Sequence, residues 1–237
     1  MSLRFVDHAA QASSEPLGAV TPALETHPSV AVYTPARLAL YDLFILGASC
    51  RLVWRCPKRH FLDLYDRHIG SPHLDIGVGT GFFLDRCRFP VERPQITLLD
   101  PSDACLSKAT RRLERYSPRV VKASALDPFE LGADRFASIA LNGVLHCLPA
   151  TPEGKASVFR NLKPLLEDGG VVFGSTILGT GVEHGRIAQR VLTLYNRERL
   201  FTNLADDLGS LERALSHTFA DQHIEVRGSF ALFAAHA

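Results

Sequence analysis

Residues 74 to 84 read LDIGVGTGFFL: an apolar run ending in Asp75, glycines at 77, 79 and 81, then a second apolar run. This pattern fits a β-strand turning directly into a helix. Glycine adopts backbone angles that other residues resist, and it lets the main chain come close to a ligand. Where a strand feeds a helix, the first backbone N–H groups of the helix have no partner within it and can face a bound group. The chain must therefore belong to the folds that build a nucleotide-like site from a strand, a glycine turn and a helix.

The surrounding pattern agrees. From His73 onward, strand-like and helix-like runs alternate. HLDIGV is followed by the helical FFLDRCRF, QITLLD (95–100) by ACLSKATRRLERY, and RVVKAS (119–124) by RFASIALN (135–142). The helical GKASVFRNLKPLL (154–166) then leads to GGVVFGSTIL (169–178). Strands separated by helices of this length imply a parallel, doubly wound α/β sheet. Two helical stretches follow, VEHGRIAQRVLTLYNRERL and LGSLERALSHTF, and HIEVRGSFALFAA reads as a hairpin turning at Gly228. Residues 1–28, with Pro16, Pro22 and Pro28, read as a loosely ordered arm. Pro35 to Trp54 is apolar at helical spacing, and Cys56 and Pro57 bend or end it. FLDLYDRHIG (61–70) reads as a second short helix stopped by Gly70. No linker divides residues 29–237, so a helical cap (29–70), a core (71–178) and a closing segment (179–237) are expected in one domain.

Composition removes several function classes. The net charge of the 237 residues is +1, which gives no field favouring nucleic acid or an anionic membrane. No basic run or RNA-binding aromatic signature occurs, and no apolar stretch reaches membrane-spanning length. The five cysteines are odd in number and lack CxxC spacing, which suits reduced thiols in the cytoplasm better than a disulfide frame or a zinc site. Ten histidines form no HxxxH or HxH pair, so no metal is expected.

Glycine spacing narrows the ligand. The dinucleotide fingerprint GxGxxG needs a third glycine for close helix–strand packing, and Phe82 occupies that position. A phosphate loop would require Lys-Ser or Lys-Thr after the glycines, and neither is there. The spacing is DxGxGxG. With the acid ending the second strand (Asp100) and the later LKPLLEDGGVVF, it resembles the class I S-adenosylmethionine-dependent methyltransferases, with a Rossmann-like seven-stranded sheet closed by an antiparallel hairpin. The resemblance implies that Asp75, Gly77, Gly79 and Gly81 line the methionine part of S-adenosyl-L-methionine and that Asp100 bonds the ribose hydroxyls. A carboxylate suits that task because its two oxygens accept from both hydroxyls at once. An alternative use of Asp100, with Pro101 and Ser102, is to cap the next helix.

Other positions depart from the family pattern. After the third strand, where an acid often meets the adenine, the chain has Ser124 and Ala125, with Asp127 as a substitute if the loop shifts. At the fourth strand the family's Phe-Asp is Phe136-Ala137. That strand ends in LNGVLHCLP, which lacks the Asn-Pro-Pro-aromatic signature of enzymes acting on nucleobase or glutamine amines. Asn142 and His146 are its polar residues. His146 is a candidate general base, with a capped structural position as the alternative. In the cap, Tyr33 and Tyr41 are candidates to line the acceptor pocket or box the sulfonium, and Trp54 reads as core of the cap.

The resemblance implies methyl transfer by in-line displacement to a small organic acceptor of the secondary-metabolite kind. The alternatives are a protein of the same fold that binds the cofactor for other chemistry, such as cyclisation, and an NAD-dependent oxidoreductase. The sequence leaves the acceptor, the methylated atom and the oligomeric state open.

Overall fold

Seven strands form one sheet in a computed structural model that describes residues 27–126, 131 and 134–237. All but the last two residues of the expected arm lie outside the described residues, as does Asp127. At the centre, β1 (His73–Ile76) runs parallel to β2 (Ile96–Leu99), and β2 runs parallel to β3 (Arg119–Val121). On its other side β1 pairs in parallel with β4 (Phe136–Asn142), and β4 with β5 (Leu166–Ile177). The chain closes with β6 (Asp221–Arg227) and β7 (Phe230–His236), a hairpin whose β7 lies antiparallel to β5. The order is β3-β2-β1-β4-β5-β7-β6. This is the Rossmann-like, mostly parallel sheet with an antiparallel closing hairpin that the residue pattern implies.

Both faces of the sheet are covered, so β1 and β2 are buried along their whole length. Side chains alternate between two apolar layers, as the two-residue period of a strand requires. Leu74, Ile139, Leu141, Val172 and Phe233 point to one layer, and Leu98, Ala140, Phe173 and Leu232 to the other. β3 is a half-exposed edge that stops at Val121, where its partner β2 also ends at Leu99. Lys122 to Ser124, expected as strand, are therefore loop.

The cap begins with a short turn of helix, α1 (Pro28–Ala31), and continues as α2 (Pro35–Leu43). Thr34 opens α2 by accepting the Arg37 N–H at 3.4 Å, with Pro35 at the first helical position. Beyond Leu43 the helix widens into a π-helical segment over Phe44–Val53, where the sequence spacing implies ordinary helix. Such widening is uncommon and tends to accompany functional sites. α3 (Arg59–His68) follows and packs its apolar face, Phe61, Leu64 and Tyr65, on the sheet. Trp54 accepts the Ser229 N–H at 2.9 Å through its carbonyl oxygen, which seats the hairpin turn under the end of the cap.

The remaining helices are α4 (Phe82–Arg86), α5 (Asp103–Arg112), α6 (Pro152–Leu162), α7 (Arg186–Arg197) and α8 (Leu208–Ser216). Among the described residues all five cysteines are free, no His/Cys/Asp/Glu group could hold a metal ion, and no helix is long and apolar enough to cross a membrane.

Candidate functional site

β1 leads outward to β2 and β3, whereas β4 leads the opposite way to β5. Ligands of open α/β sheets bind at such a reversal, beyond the carboxyl ends of the strands. A cavity of about 570 Å³ lies there, within the usual range for small-molecule sites. Asp75, Gly77, Gly79 and Gly81 form one wall, Asn142 and His146 another, and Tyr33 and Tyr41 of the cap a third. The structure thus brings eight of the expected positions together.

The glycine turn is shaped by sterics. Gly77 has φ +69°, and a Cβ there would stand 2.4 Å from Val144 Cγ2. Gly79 has φ +55°, but a Cβ there would meet no atom within 4 Å. The three glycine N–H groups are spent inside the fold: Gly77 donates to Leu99 O, Gly81 to Val78 O, and Gly79 to Asp100 Oδ2 at 3.5 Å. Among the described residues the N–H groups of Val78 and Thr80, between the glycines, make no hydrogen bond. Asp75 Oδ2 accepts the Tyr65 hydroxyl at 2.7 Å and lies 3.6 Å from His73 Nε2. Its Oδ1 has no hydrogen-bond partner among the described residues.

Asp100 is buried but does not line the cavity. It sits behind the turn, with Oδ1 accepting the Ser102 N–H at 2.9 Å. Burial pushes its carboxyl up to about 7, against the pull of the Ser102 and Gly79 amides. The capping alternative divides between two residues: Ser102 Oγ, not Asp100, accepts the Cys105 N–H at the start of α5. Ser124 and Ala125 are buried away from the cavity wall, and Ser124 Oγ closes a local turn by accepting the Leu126 N–H.

His146 stands in a short turn after β4, packed edge-on to Phe201 with ring centroids 4.5 Å apart. Its Nδ1 accepts the Ile177 N–H at 3.2 Å. In a neutral imidazole the proton must then reside on Nε2. Burial and the positive charge of Lys155 push His146 down to about 3. The ring therefore presents a donor and lacks the free basic nitrogen that a general base requires, which runs against the base role expected from the sequence. Asn142 Oδ1 accepts the Ser175 hydroxyl at 2.5 Å, leaving its amide nitrogen as a donor.

Tyr33 and Tyr41 form a tilted pair with centroids 6.0 Å apart. The neighbouring Tyr41 and burial hold the Tyr33 hydroxyl well above the ordinary tyrosine range, and burial does the same for Tyr41. Trp54 is both core and wall: it is 3 % exposed, packs on Phe201 and lines the cavity.

Several residues of the site escaped the sequence reading. Asp42 on α2, Thr80 in the glycine turn and Arg112 on α5 form a connected set that joins the cap to the turn. Tyr65, Ser175, Tyr195 and Phe201 line the cavity from four further places in the chain. Only Asp42 carried a visible signal, as a lone acid inside an apolar helical run.

Comparison with known proteins adds a second line of findings. The family model of a methyltransferase domain matches residues 74–172. The chain is 37 % identical over 217 residues to methyltransferase aurB of Calcarisporium arbuscula, covering 86 % of this chain and 94 % of that one. It is 35 % identical over 212 residues to the physcion biosynthesis cluster O-methyltransferase of Aspergillus chevalieri, covering 89 % and 95 %. Its fold is similar to that of phosphoethanolamine N-methyltransferase 2 of Haemonchus contortus, solved with S-adenosyl-L-methionine. There the TM-score is 0.63 at 15 % identity, over 86 % of this chain and 57 % of that one.

Proposed function

Because the chain belongs to the class I S-adenosylmethionine-dependent methyltransferases, we propose that it methylates an oxygen of a small organic acceptor held between the glycine turn and the cap. The observation that carries this reading is the shared cavity: the glycine turn and the polar end of β4 open into one largely apolar space roofed by the cap. The name of the Aspergillus chevalieri relative, an O-methyltransferase of a biosynthesis cluster, favours oxygen and a secondary metabolite.

The residues present fit the cofactor. The space above Gly79, where a Cβ would meet nothing, suits close approach to the turn. Asp75 Oδ1 and the N–H groups of Val78 and Thr80 have no partner among the described residues, and in this reading they would accept from the ammonium and donate to the carboxylate. Asp100 lies behind Gly79 and off the cavity wall, so its ribose role rests on the family resemblance alone. Tyr33 and Tyr41 offer aromatic faces to the sulfonium, contacts worth roughly 0.5–2 kcal/mol.

When bound, the cofactor supplies an electrophilic methyl group. The protein's part is to align the acceptor and exclude water, and positioning of this kind lowers a barrier by about 7–11 kcal/mol. Asn142 and His146 orient the acceptor by donating to it. The cap, with Leu40, Phe44 and Trp54 on the cavity wall, keeps water out.

Incubation with methyl-labelled cofactor and a panel of hydroxylated and carboxylated aromatic acceptors tests the reading. Label on oxygen with stoichiometric S-adenosylhomocysteine is expected. Tight cofactor binding without transfer across the panel would overturn it in favour of other chemistry in the same pocket.

A further inference from the structure

We propose that Lys155, a buried lysine outside the cavity, is a positioning residue: together with Asp206 it holds His146 and Phe201 in the wall that faces the acceptor. That the cavity takes an acceptor rests on the methyl-transfer reading above; the positioning itself does not.

Lys155 stands on the apolar stripe of α6. It shares the buried face with Val158, Phe159 and Leu162, at the spacing where a core helix carries aliphatic residues. Its side chain is 6 % exposed and that of Asp206 10 %. Lys155 Nζ donates to Asp206 Oδ2 at 2.6 Å and to the Thr202 carbonyl at 2.9 Å. Asp206 Oδ1 is buried and accepts no hydrogen bond among the described residues. Two charges taken out of water, with one oxygen left unserved, are a poor source of stability, because an apolar pair of similar volume often does as well or better. The pair calls for another use, and the backbone it touches supplies one.

The bonds run in a closed circuit around His146. The Thr202 carbonyl is tied to Lys155, and the Thr202 N–H donates to the His146 carbonyl at 2.9 Å. The Thr202 hydroxyl donates to the Leu148 carbonyl. Phe201, the preceding residue, is thereby set edge-on to His146 and against Tyr195, 5.0 Å away between ring centroids. On the other side, the main-chain carbonyl of Asp206 accepts the Gly179 N–H at 2.8 Å. Gly179 lies just past β5, which ends at Ile177, the residue whose N–H sits on His146 Nδ1. Asn203 joins the two segments by donating to the Ile177 carbonyl at 2.8 Å. They touch so closely that a Cβ on Gly179 would stand 1.7 Å from the Asn203 carbonyl oxygen.

His146, Ile177, Tyr195 and Phe201 line the cavity, whereas Lys155, Thr202, Asn203 and Asp206 do not. The pair therefore acts only through the groups it holds. The positive charge of Lys155 also disfavours the imidazolium form of His146. The same residue thus fixes the ring in place and helps keep it neutral, with its proton on Nε2.

The test compares the full chain with two variants. Lys155→Met alone strands the Asp206 carboxylate in the interior and should lower the melting temperature. Lys155→Met combined with Asp206→Leu removes both charges and keeps the space filled, so melting should return close to that of the unaltered chain. The double variant should bind S-adenosylhomocysteine with unchanged affinity in calorimetry, because the pair touches no residue of the glycine turn. Nuclear magnetic resonance of isotope-labelled histidine, with His146→Gln to assign the signal, reads the ring directly. The unaltered chain should show the Nε2–H tautomer alone, and the double variant a mixture of both tautomers. With an acceptor found by the labelled-cofactor panel, KM should rise about tenfold, the worth of one well-placed hydrogen bond. Either the Nε2–H tautomer alone or an unchanged acceptor KM in the folded double variant overturns the inference. A double variant that fails to fold also overturns it, since the pair would then be structural. Mixed tautomers in the double variant, with no transfer by the unaltered chain to any acceptor of the panel, overturn the methyl-transfer reading and leave the positioning role standing.

Discussion

Arg112 Nη2 meets Asp42 Oδ2 at 2.6 Å, and Thr80 completes the set by donating to Asp42 Oδ1 at 2.6 Å and accepting from Arg112 Nη1 at 3.0 Å. One contact thus joins the cap helix, the glycine turn and the helix after β2. Both charged side chains are about a quarter exposed, so solvent screens the pair. Asp42→Asn should loosen the cap by about 1 kcal/mol, seen as roughly fivefold faster release of S-adenosylhomocysteine in stopped-flow measurements. An unchanged release rate would remove the latch role.

His146 should act as a donor. Gln at this position keeps an N–H but has no basic nitrogen. His146→Gln should therefore lower kcat by less than about tenfold, and His146→Ala by considerably more, because the oriented donor is then gone. A similar collapse of both variants, with wild-type cofactor affinity, would restore the general-base role.

Cofactor affinity should depend on pH through Asp100. Its carboxyl is raised to about 7 in the folded chain, and only the ionised form accepts from two hydroxyls at full strength. Affinity should therefore rise as pH increases through about 7 and fall on acidification below it. Asp100→Asn should flatten this profile, and Asp100→Ala should weaken binding by about 1.5–3 kcal/mol in calorimetry at pH 8. A flat profile in the wild-type chain would disconnect Asp100 from the ribose.

Gly77 and Gly79 should fail differently. Gly77→Ala combines a left-handed backbone with a collision against Val144, so the loss should appear as stability, about 1–3 kcal/mol from strain before the clash is counted. Gly79→Ala carries strain too, but its methyl group enters open space, and its larger effect should be on cofactor affinity. Thermal melts paired with titrations separate the two. Equal losses of affinity in both variants, with unchanged melting, would contradict this division.

The order of strands and helices was legible because each element's pattern is local. Alternation marked β1, β2, β4 and β5, and the glycine at 228 marked the hairpin. Boundaries were less so: β3 ends at Val121 because its neighbour β2 ends, which no residue of β3 announces. The π-helical stretch over Phe44–Val53 also escaped, since its apolar residues fit an ordinary helix equally well.

By itself, the sequence determined the glycine wall of the cavity. Asp75, Gly77, Gly79 and Gly81 lie within seven consecutive residues, and their spacing carries its own steric meaning. Only the tertiary structure decided the wall that His146 forms and the joint between cap and turn. The tautomer of His146 depends on an N–H from Ile177, on another strand, and its loss of basicity depends on burial under Phe201 and on the charge of Lys155. The latch depends on Asp42 finding Arg112, 70 positions away. A side chain's proton and partner are set by what packs against it, and that information exists only once the chain has folded.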